Sequence, residues 1–328
     1  VCKRCGTSLT SMGKEKIRTE VQFIPATIKV IDFYRESFQC LECRKQEHFS
    51  IEKPLMPQPV LAKSIASPSS IAHIIVQKYL LSMPLYRQER EWKDIGLNLS
   101  RATLSNWVIR STEDWLIPVV ERMHSYLLHL PVIHADETPV QVLNEKNRKN
   151  TTKSYMWVFT NGEYETDQQI RIYEYHPGRS GSFAADFLEG FQGILQTDGY
   201  SGYEKIPCEA HALCWVHARR YFVEAIPPGL AKEEIAETTS GQALKKINAL
   251  FALDKELTER SIADRQQERL QLEKDKLETL FVWLKAIQPE TAPKSALGKA
   301  VNYVLNHQEG LSVYLSHGEA AMSKIGRA

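Results

Sequence analysis

The sequence predicts a multidomain α/β protein, and three observations carry that prediction. Two Cys-x-x-Cys pairs fall before residue 44, and a proline-rich stretch follows them. Beyond residue 130, short apolar runs bounded by turn formers give way to long stretches of helical periodicity. At 328 residues the chain exceeds the usual single-domain size, so several units are expected. Shifts in composition mark five segments: 1–53, 54–125, 126–225, 226–292 and 293–328.

Composition narrows the class. An apolar content of 43% with 25% charged residues is ordinary for a soluble globular protein. The longest apolar stretch, 71–81, is too short to cross a bilayer and carries His73, Gln77 and Lys78, so no membrane partner is expected. The net charge of +1 does not advertise a nucleic-acid partner. Local charge is more informative: Lys146, Arg148, Lys149 and Lys153 cluster in a loop-like segment, and Arg219 and Arg220 follow His217. Such runs are usually solvated surface, with phosphate contact the rarer use. Six cysteines, four of them in Cys-x-x-Cys pairs, point to metal in a reducing cytoplasm rather than to disulfides. The chain opens on Val1 directly before a cysteine motif, as expected of a sequence lacking its natural N-terminus.

In segment 1–53, Cys2-Lys3-Arg4-Cys5-Gly6 and Cys40-Leu41-Glu42-Cys43 can supply four thiolates to one tetrahedral, structural Zn2+. Between them Val21, Phe23, Ile28, Val30 and Phe33 alternate as a hairpin excursion would. The reading is a zinc ribbon. Redox chemistry is the competing use of such pairs, and two of them in one small β-rich unit argue against it.

Pro54, Pro57, Pro59 and Pro68 mark a linker, after which 71–81 reads as an apolar helix. Tyr86 to Arg110 reads as helix-turn-helix: one helix ends near Gly96, Leu97 and Leu99 fill the turn, and Ser100 caps the next helix. On that second helix Leu104, Trp107 and Val108 face inward, leaving Arg101, Ser105 and Arg110 to reach DNA. A plain helical hairpin fits the same spacing.

From residue 130 the order of elements becomes informative. Leu130 to Ile133 leads into His134-Ala135-Asp136-Glu137-Thr138, and strands at Tyr155–Phe159 and Ile170–Tyr175 follow. A helix over 182–191 carries Ala184, Phe187 and Leu188 on one face. Gly193-Ile194-Leu195 then leads into Gln196-Thr197-Asp198-Gly199-Tyr200, and a helix runs through Cys214 to Phe222. Three strands, a helix, a strand and a helix is the ribonuclease H-like order, in which the first and fourth strands are neighbours. That order brings Asp136 and Asp198 together. Alone, either acid reads as a turn former; paired, their hard oxygens suit Mg2+ or Mn2+. Alternation puts His134 on the side of Asp136 and turns Glu137 to the other side.

Cys208, His211, Cys214 and His217 recur every third residue. On one helix they would fan out rather than converge, so a second zinc is not expected, although Cys214 and His217 are one turn apart. Residues 226–292 read as predominantly helical, an antiparallel pair used for packing or partner contact. Ala243, Leu244, Ile247, Leu250 and Phe251 form one stripe and Leu270, Leu277, Leu280, Phe281 and Leu284 another, with Pro289 and Pro293 ending it. Segment 293–328 returns to the core.

These motifs together resemble the transposases of the insertion-sequence-66 family. The likeness rests on the Cys-x-x-Cys-Gly start, Pro84 to Glu89, Leu99 to Leu104, His134 to Val140, Leu195 to Tyr203, and Cys214-Trp215-Val216-His217-Ala218-Arg219-Arg220. It implies a ribonuclease H-like core whose Asp-Asp-Glu triad binds two divalent ions, with Asp136 the first acid and Asp198 the second. Cys214 and His217 match a Cys-x-x-His motif whose implied role is orienting rather than catalytic. The family's activity is strand cleavage at element ends and transfer into target DNA. It implies a homo-oligomer on DNA, accessory proteins of the same element, and a cytoplasmic, nucleoid-associated location. Arg219 and Arg220 are candidate DNA contacts.

The chain departs from its family near the C-terminus. Relatives continue from Tyr-Leu-x-Asp-Gly into Asp-Asn-Asn and then Ala-Glu-Arg, whose Glu is the third acid. Here Tyr314-Leu315-Ser316-His317-Gly318 has His317 for that Asp. Ser323, Lys324 and Ile325 occupy the Asp-Asn-Asn places, and Ala328 stands where the Glu would fall. Glu309 and Glu319 are the nearest substitutes, outside the motif. The expectation is a truncated or frameshifted transposase with impaired strand transfer. The alternatives are a DNA-binding remnant that occupies ends without cutting, and a zinc hydrolase built on Cys208 to His217.

Overall fold

The computed structural model describes residues 1–22, 27–48, 51–165 and 169–323. Phe23, Lys324, Ile325 and Ala328 lie outside the described residues. The chain divides into two compact units, Val1–Ile117 and Pro118–Ala328.

The first unit opens on a knuckle. The Gly6 amide donates to the Cys2 carbonyl at 2.9 Å, and Gly6 has φ +73°, a left-handed turn that suits a residue without Cβ. A two-residue ladder, β1 (Phe38–Gln39) with β2 (Ile51–Glu52), flanks helix α1 (Leu41–Lys45), which Cys40 caps. Val21, Val30 and Phe33 stand exposed in irregular chain. Their alternation does not form strands among the described residues, because an isolated excursion has no sheet to pair with or pack on. Ile28 packs instead on the helical core.

That core is made by α2 (Pro68–Ile75), α3 (Leu85–Asp94) and α4 (Arg101–Ser111). Ser67 and Ser70 form a reciprocal capping box at the start of α2, with Pro68 at the first helical position. The predicted single helix over 71–81 passes at Val76 into a π turn that runs to Leu80. Gly96 turns the chain at φ +98°, and Ser100 caps α4 by accepting from the Thr103 amide at 3.1 Å. Ile71, Ile74, Trp92, Leu99, Leu104 and Trp107 are buried together. Gln88, fully buried, donates to the carbonyls of Ile74 and Met83 and so ties α2 to α3.

The second unit starts with α5 (Ile117–Leu127) and builds a five-stranded mixed sheet. Its strands are β3 (Val132–Gln141), β4 (Lys153–Asn161), β5 (Arg171–His176), β6 (Ile194–Thr197) and β7 (Ala210–Leu213), with α6 (Gly181–Phe187) before β6. The spatial order is β5-β4-β3-β6-β7. The three-strand meander is antiparallel, whereas β6 and β7 add parallel to β3. Strand β7 corrects the sequence reading, which runs a helix through Cys214 and leaves 210–213 without a strand. The next helix, α7 (Trp215–Glu224), begins only after β7 ends.

Two cores sandwich the sheet. Ile133, Ala135, Trp157, Phe159 and Leu195 pack with α5 and α6 on one side. Val132, Ile194 and Ala212 face the other side, where the remaining helices lie. After α7 these are α8 (Lys232–Glu237), α9 (Thr239–Glu256), α10 (Ile262–Leu272), α11 (Lys274–Ile287), α12 (Ala296–Asn306) and α13 (Gln308–Ser316). Both predicted apolar stripes are buried except half-buried Phe251 and Leu270, the latter exposed because the helix breaks at Glu273 before the second stripe begins.

Two buried arginines one turn apart on α10 hold the return segment. Arg269 pairs with Asp254 and donates to the carbonyls of Tyr314 and Ala320 at 2.9 and 2.8 Å. Arg265 donates to Gly318 at 2.7 Å and to three carbonyls at the end of α9 and just beyond it. The chain so fixed then reaches the sheet: Gln196 donates to Ala321 at 2.6 Å, and the Trp215 amide donates to Met322 at 2.9 Å.

Removing one partner of a buried ion pair strands the other charge, so Arg269→Met should lower unfolding free energy by about 3–5 kcal/mol in urea melts. A loss below about 1 kcal/mol would show the clamp to be dispensable. Nearby, buried Glu273 accepts from the Tyr314 hydroxyl at 2.9 Å, and burial, aided by the charge of Asp254, pushes its pKa up to about 7. Its contribution to stability is complete below its unfolded value near 4.5 and is lost as the pH rises through the folded value near 7. Glu273→Gln should flatten that decline and gain on the order of 2–3 kcal/mol over wild type at mildly alkaline pH. Identical pH profiles of chemical denaturation for the two proteins would contradict this.

Candidate active site on the central strands

Strands β3 and β6 are parallel neighbours with Val132 opposite Ile194, Ile133 opposite Leu195 and His134 opposite Gln196. Two residues beyond that last pair stand Asp136 and Asp198, at matching positions along the two strand directions. Alternation gives both the face of Val132 and Ile194, with His134, itself buried, on that side as well.

Asp198 is held from several directions. Its Oδ1 accepts from the Tyr200 amide at 2.9 Å, a local turn that short acids favour. Its carbonyl accepts from the Tyr303 hydroxyl at 2.6 Å. Gly199 between them has φ +84°, and a Cβ there would lie 3.3 Å from both Tyr303 and His307. Burial, with the charges of Asp198, Tyr221 and Cys214 adding to it, keeps the Tyr303 phenol protonated and donating. Asp136 Oδ1 accepts from the Glu137 amide at 3.0 Å.

Glu137 lies on the opposite face, as alternation predicts, but it is not remote from the pair. Arg179, on the loop after β5, donates to Glu137 Oε1 at 2.7 Å and reaches within 3.9 Å of Asp198 Oδ2. The same guanidinium lies over the Tyr200 ring at 4.0 Å. The Tyr203 hydroxyl donates to the other Glu137 oxygen at 2.5 Å. Burial raises the Glu137 pKa, the charge of Asp198 adds to the rise, and the Tyr203 and Arg179 hydrogen bonds oppose it. Sequence reasoning missed Arg179, Tyr203 and Tyr303. Only the Gly199-Tyr200 and Tyr203 stretch carried a signal, as part of the motif around Asp198.

The Cys214 amide donates to the carbonyl of Thr197 at 3.0 Å, so α7 starts beside the end of β6. Cys214 is buried and His217 half-buried one turn on. Cys208 precedes β7 and His211 lies on it, so the four residues do not share one helix. The Cys208 thiol, pushed up by burial, donates to Ala210 at 3.5 Å. His211 lines a different cleft of about 460 Å3, shared with Thr197, Gly199, His307 and Glu309.

In the first unit, Cys2 and Cys5 sit in one knuckle and Cys40 and Cys43 in another. The Thr7 hydroxyl and amide lower the Cys5 pKa, with Cys2 adding to this, and hydrogen bonds from Cys43 and Glu42 lower that of Cys40. Among the described residues no three His, Cys, Asp or Glu converge on one point. The donor chemistry fits both expected ions: thiolate sulfur, favoured by these knuckle hydrogen bonds, suits zinc, and the aspartate oxygens suit a hard divalent ion.

The candidate DNA contacts differ in availability. Arg101 and Arg220 are exposed, and Ser105 is half-buried. Arg110 donates to the Ala62 carbonyl at 3.1 Å, and Arg219 to Asn248 at 2.8 Å.

Comparison with known proteins gives the arrangement its context. The chain is 27% identical over 332 residues to uncharacterized protein y4jD of Sinorhizobium fredii, covering 97% of this chain and 62% of that protein. It is 26% identical over 340 residues to uncharacterized protein y4hP of the same organism, covering 98% and 60%. The chain thus spans about three fifths of the length of these relatives. Residues 1–44 match the family described as the zinc-finger binding domain of transposase IS66. Residues 63–324 match the family described as Transposase IS66 family, and with four fifths of its length matched the chain belongs to that family.

Proposed function

We propose that this chain carries DNA-binding and DNA-cutting parts of an insertion-sequence transposase, with Asp136 and Asp198 holding Mg2+ or Mn2+ in a ribonuclease H-like core. The observation that supports this most is the parallel register of β3 and β6, whose last pair, His134 with Gln196, lies two residues before Asp136 and Asp198 on their own strands. The sheet order β5-β4-β3-β6-β7 also sets the first and fourth of these strands side by side, as such a core requires. On this reading, α3 and α4 form the helix-turn-helix, 1–53 is a zinc ribbon with Cys2, Cys5, Cys40 and Cys43 as ligands, and 226–292 is an insertion.

When bound, the divalent ions supply positive charge to the attacking and leaving oxygens of a phosphodiester. The protein's own groups orient the acids. Tyr303 and the Tyr200 amide fix Asp198, and the Glu137 amide fixes Asp136. Arg179 balances the negative charge of Glu137 and Asp198 and is 40% exposed, so it can also meet a phosphate. His134, Cys214 and His217 support the acids from the same side. Arg101, Ser105 and Arg220 are the contacts to DNA, with Arg110 and Arg219 joining where their present bonds yield. The partners are element ends and target DNA, with the chain acting as a homo-oligomer alongside accessory proteins of the element, in the bacterial cytoplasm at the nucleoid.

A second reading is DNA binding without cutting. His317, in the place of a family Asp, favours it: its ring nitrogen faces the Val313 carbonyl at 3.1 Å, and its own carbonyl accepts from Arg269.

The two readings separate in one assay. Asp136→Asn and Asp198→Asn should each reduce metal-dependent nicking of element-end DNA by more than about a hundredfold, since even outer partners of metal ligands cost 10–100-fold. DNA affinity should hold within about threefold, a shift of under 1 kcal/mol. Salt-sensitive binding without nicking by the wild-type chain would select the second reading. Elemental analysis should find about one zinc per chain, and chelation or Cys5→Ser should unfold the 1–53 segment to proteolysis while leaving 118–323 resistant. Absence of zinc from protein purified without chelators would remove the ribbon.

A further inference from the structure

The face of the sheet that carries Asp136 is only partly covered. Its rows run across three strands: His134, Thr160 and Arg171; Asp136, Val158 and Tyr173; Thr138, Met156 and Tyr175. The helices on this side pack over Val132, Ile194 and Ala212, toward β6 and β7. Toward the edge strand β5 the face opens, and Tyr173 is 64% exposed beside an exposed Arg171. Neighbouring Tyr175 has a structural task, since its hydroxyl donates to Glu145. Tyr173 stands on the row of Asp136 itself, two strands away, roughly 10 Å across the sheet.

The same face leads to a stiff basic tip. Strand β3 continues five residues past Asp136, to Gln141, which carries the β3–β4 hairpin about 15 Å beyond the acid. Within the hairpin, Glu145 accepts from Arg148, Ser154 and Tyr175, so the loop is tied down and the charge of Arg148 is neutralised. Lys146 and Lys149 remain exposed at the tip. In a chain of net charge +1 these cations are a local concentration rather than part of a general basic character. A flat aromatic ring flanked by cations, continuous with a carboxylate site, complements a chain of phosphates and bases better than an apolar protein surface.

We propose that the open face from Asp136 across Tyr173 and Arg171, and out to Lys146 and Lys149, is a track that seats the DNA strand entering the active site. Arg171 and the two lysines meet phosphates, and Tyr173 stacks on a base or sugar where the strand is unpaired. This rests on the DNA-cutting reading above and assigns the surface that reading leaves open.

The test uses the full chain and a short fluorescein-labelled duplex with a single-stranded overhang, followed by anisotropy over a range of salt concentrations. The combined variant Arg171→Gln, Lys146→Gln, Lys149→Gln should lower the slope of log affinity against log salt by about two to three, close to one for each phosphate left without its cation. Tyr173→Ala should weaken binding about tenfold with the slope unchanged. All four positions are on the surface, and thermal melts matching wild type confirm folding. Wild-type binding with an unaltered slope and affinity in both variants overturns the track while leaving the proposed function standing. No DNA binding by the wild type removes both. A change in oligomeric state of DNA-free Tyr173→Ala also overturns the track, because the face would then be an interface between copies.

Discussion

The constraint on which the second unit depends is the full burial of Arg269. A guanidinium without water must find a counter-charge and a partner for each of its donors, and here Asp254, the carbonyls of Tyr314, His317 and Ala320, and the Tyr164 hydroxyl provide them. These groups come from three separate stretches of chain. Satisfying one side chain therefore fixes residues 314–320 against α9 and α10. The next residues in turn meet β6 through Gln196 and α7 through Trp215. Residues 226–292 thus act as more than a spacer: through Arg265 and Arg269 they determine where the chain lies behind the strand that ends at Asp198.

The candidate site shows how charge is balanced among neighbouring carboxylates. Asp136 and Glu137 midway along β3 and Asp198 just past the end of β6 bring three carboxylates near one another, and in water-poor surroundings like charges cannot be left unopposed. Arg179 answers this by bonding to buried Glu137 while remaining 3.9 Å from Asp198. Tyr203 shares the load by donating to Glu137. The acid that faces away along the strand and the acid proposed to hold metal are therefore coupled through one cation, despite lying on opposite faces. The packing of the Arg179 loop on the Asp198 loop is close enough that a Cβ at Gly181 would sit 2.2 Å from the Gly202 carbonyl.

The first unit is organised differently. Its helical part has an apolar core of its own, with buried Gln88 as a polar tie between helices. Its cysteine-bearing part has almost none: Val21, Val30 and Phe33 lie in solvent. Apolar burial alone does not order a segment of that kind, and it is the stretch that matches the family described as a zinc-finger binding domain.

Much of this was legible in the sequence because it depends on local chemistry. Ser100 before Arg101 announces a capped helix, the Cys-x-x-Cys pairs announce their knuckles, and apolar runs ending in Asp136 and Asp198 announce buried strands. The order of elements also predicted that β3 and β6 would be neighbours. Strand β7 escaped notice because four residues leading straight into a helix carry too short a pattern to separate from it. The alternation over Val21 to Phe33 misled because a period of two makes a strand only where a partner strand exists. The sequence by itself determined which residues cap, turn, alternate and carry charge, since those properties need only near neighbours. Only the tertiary structure decided that Arg179 would join Glu137 to Asp198, that Tyr303 would hold the Asp198 carbonyl from 105 residues away, and that Arg269 would bury its charge. Each of those depends on distant segments meeting in space, and no local periodicity encodes it.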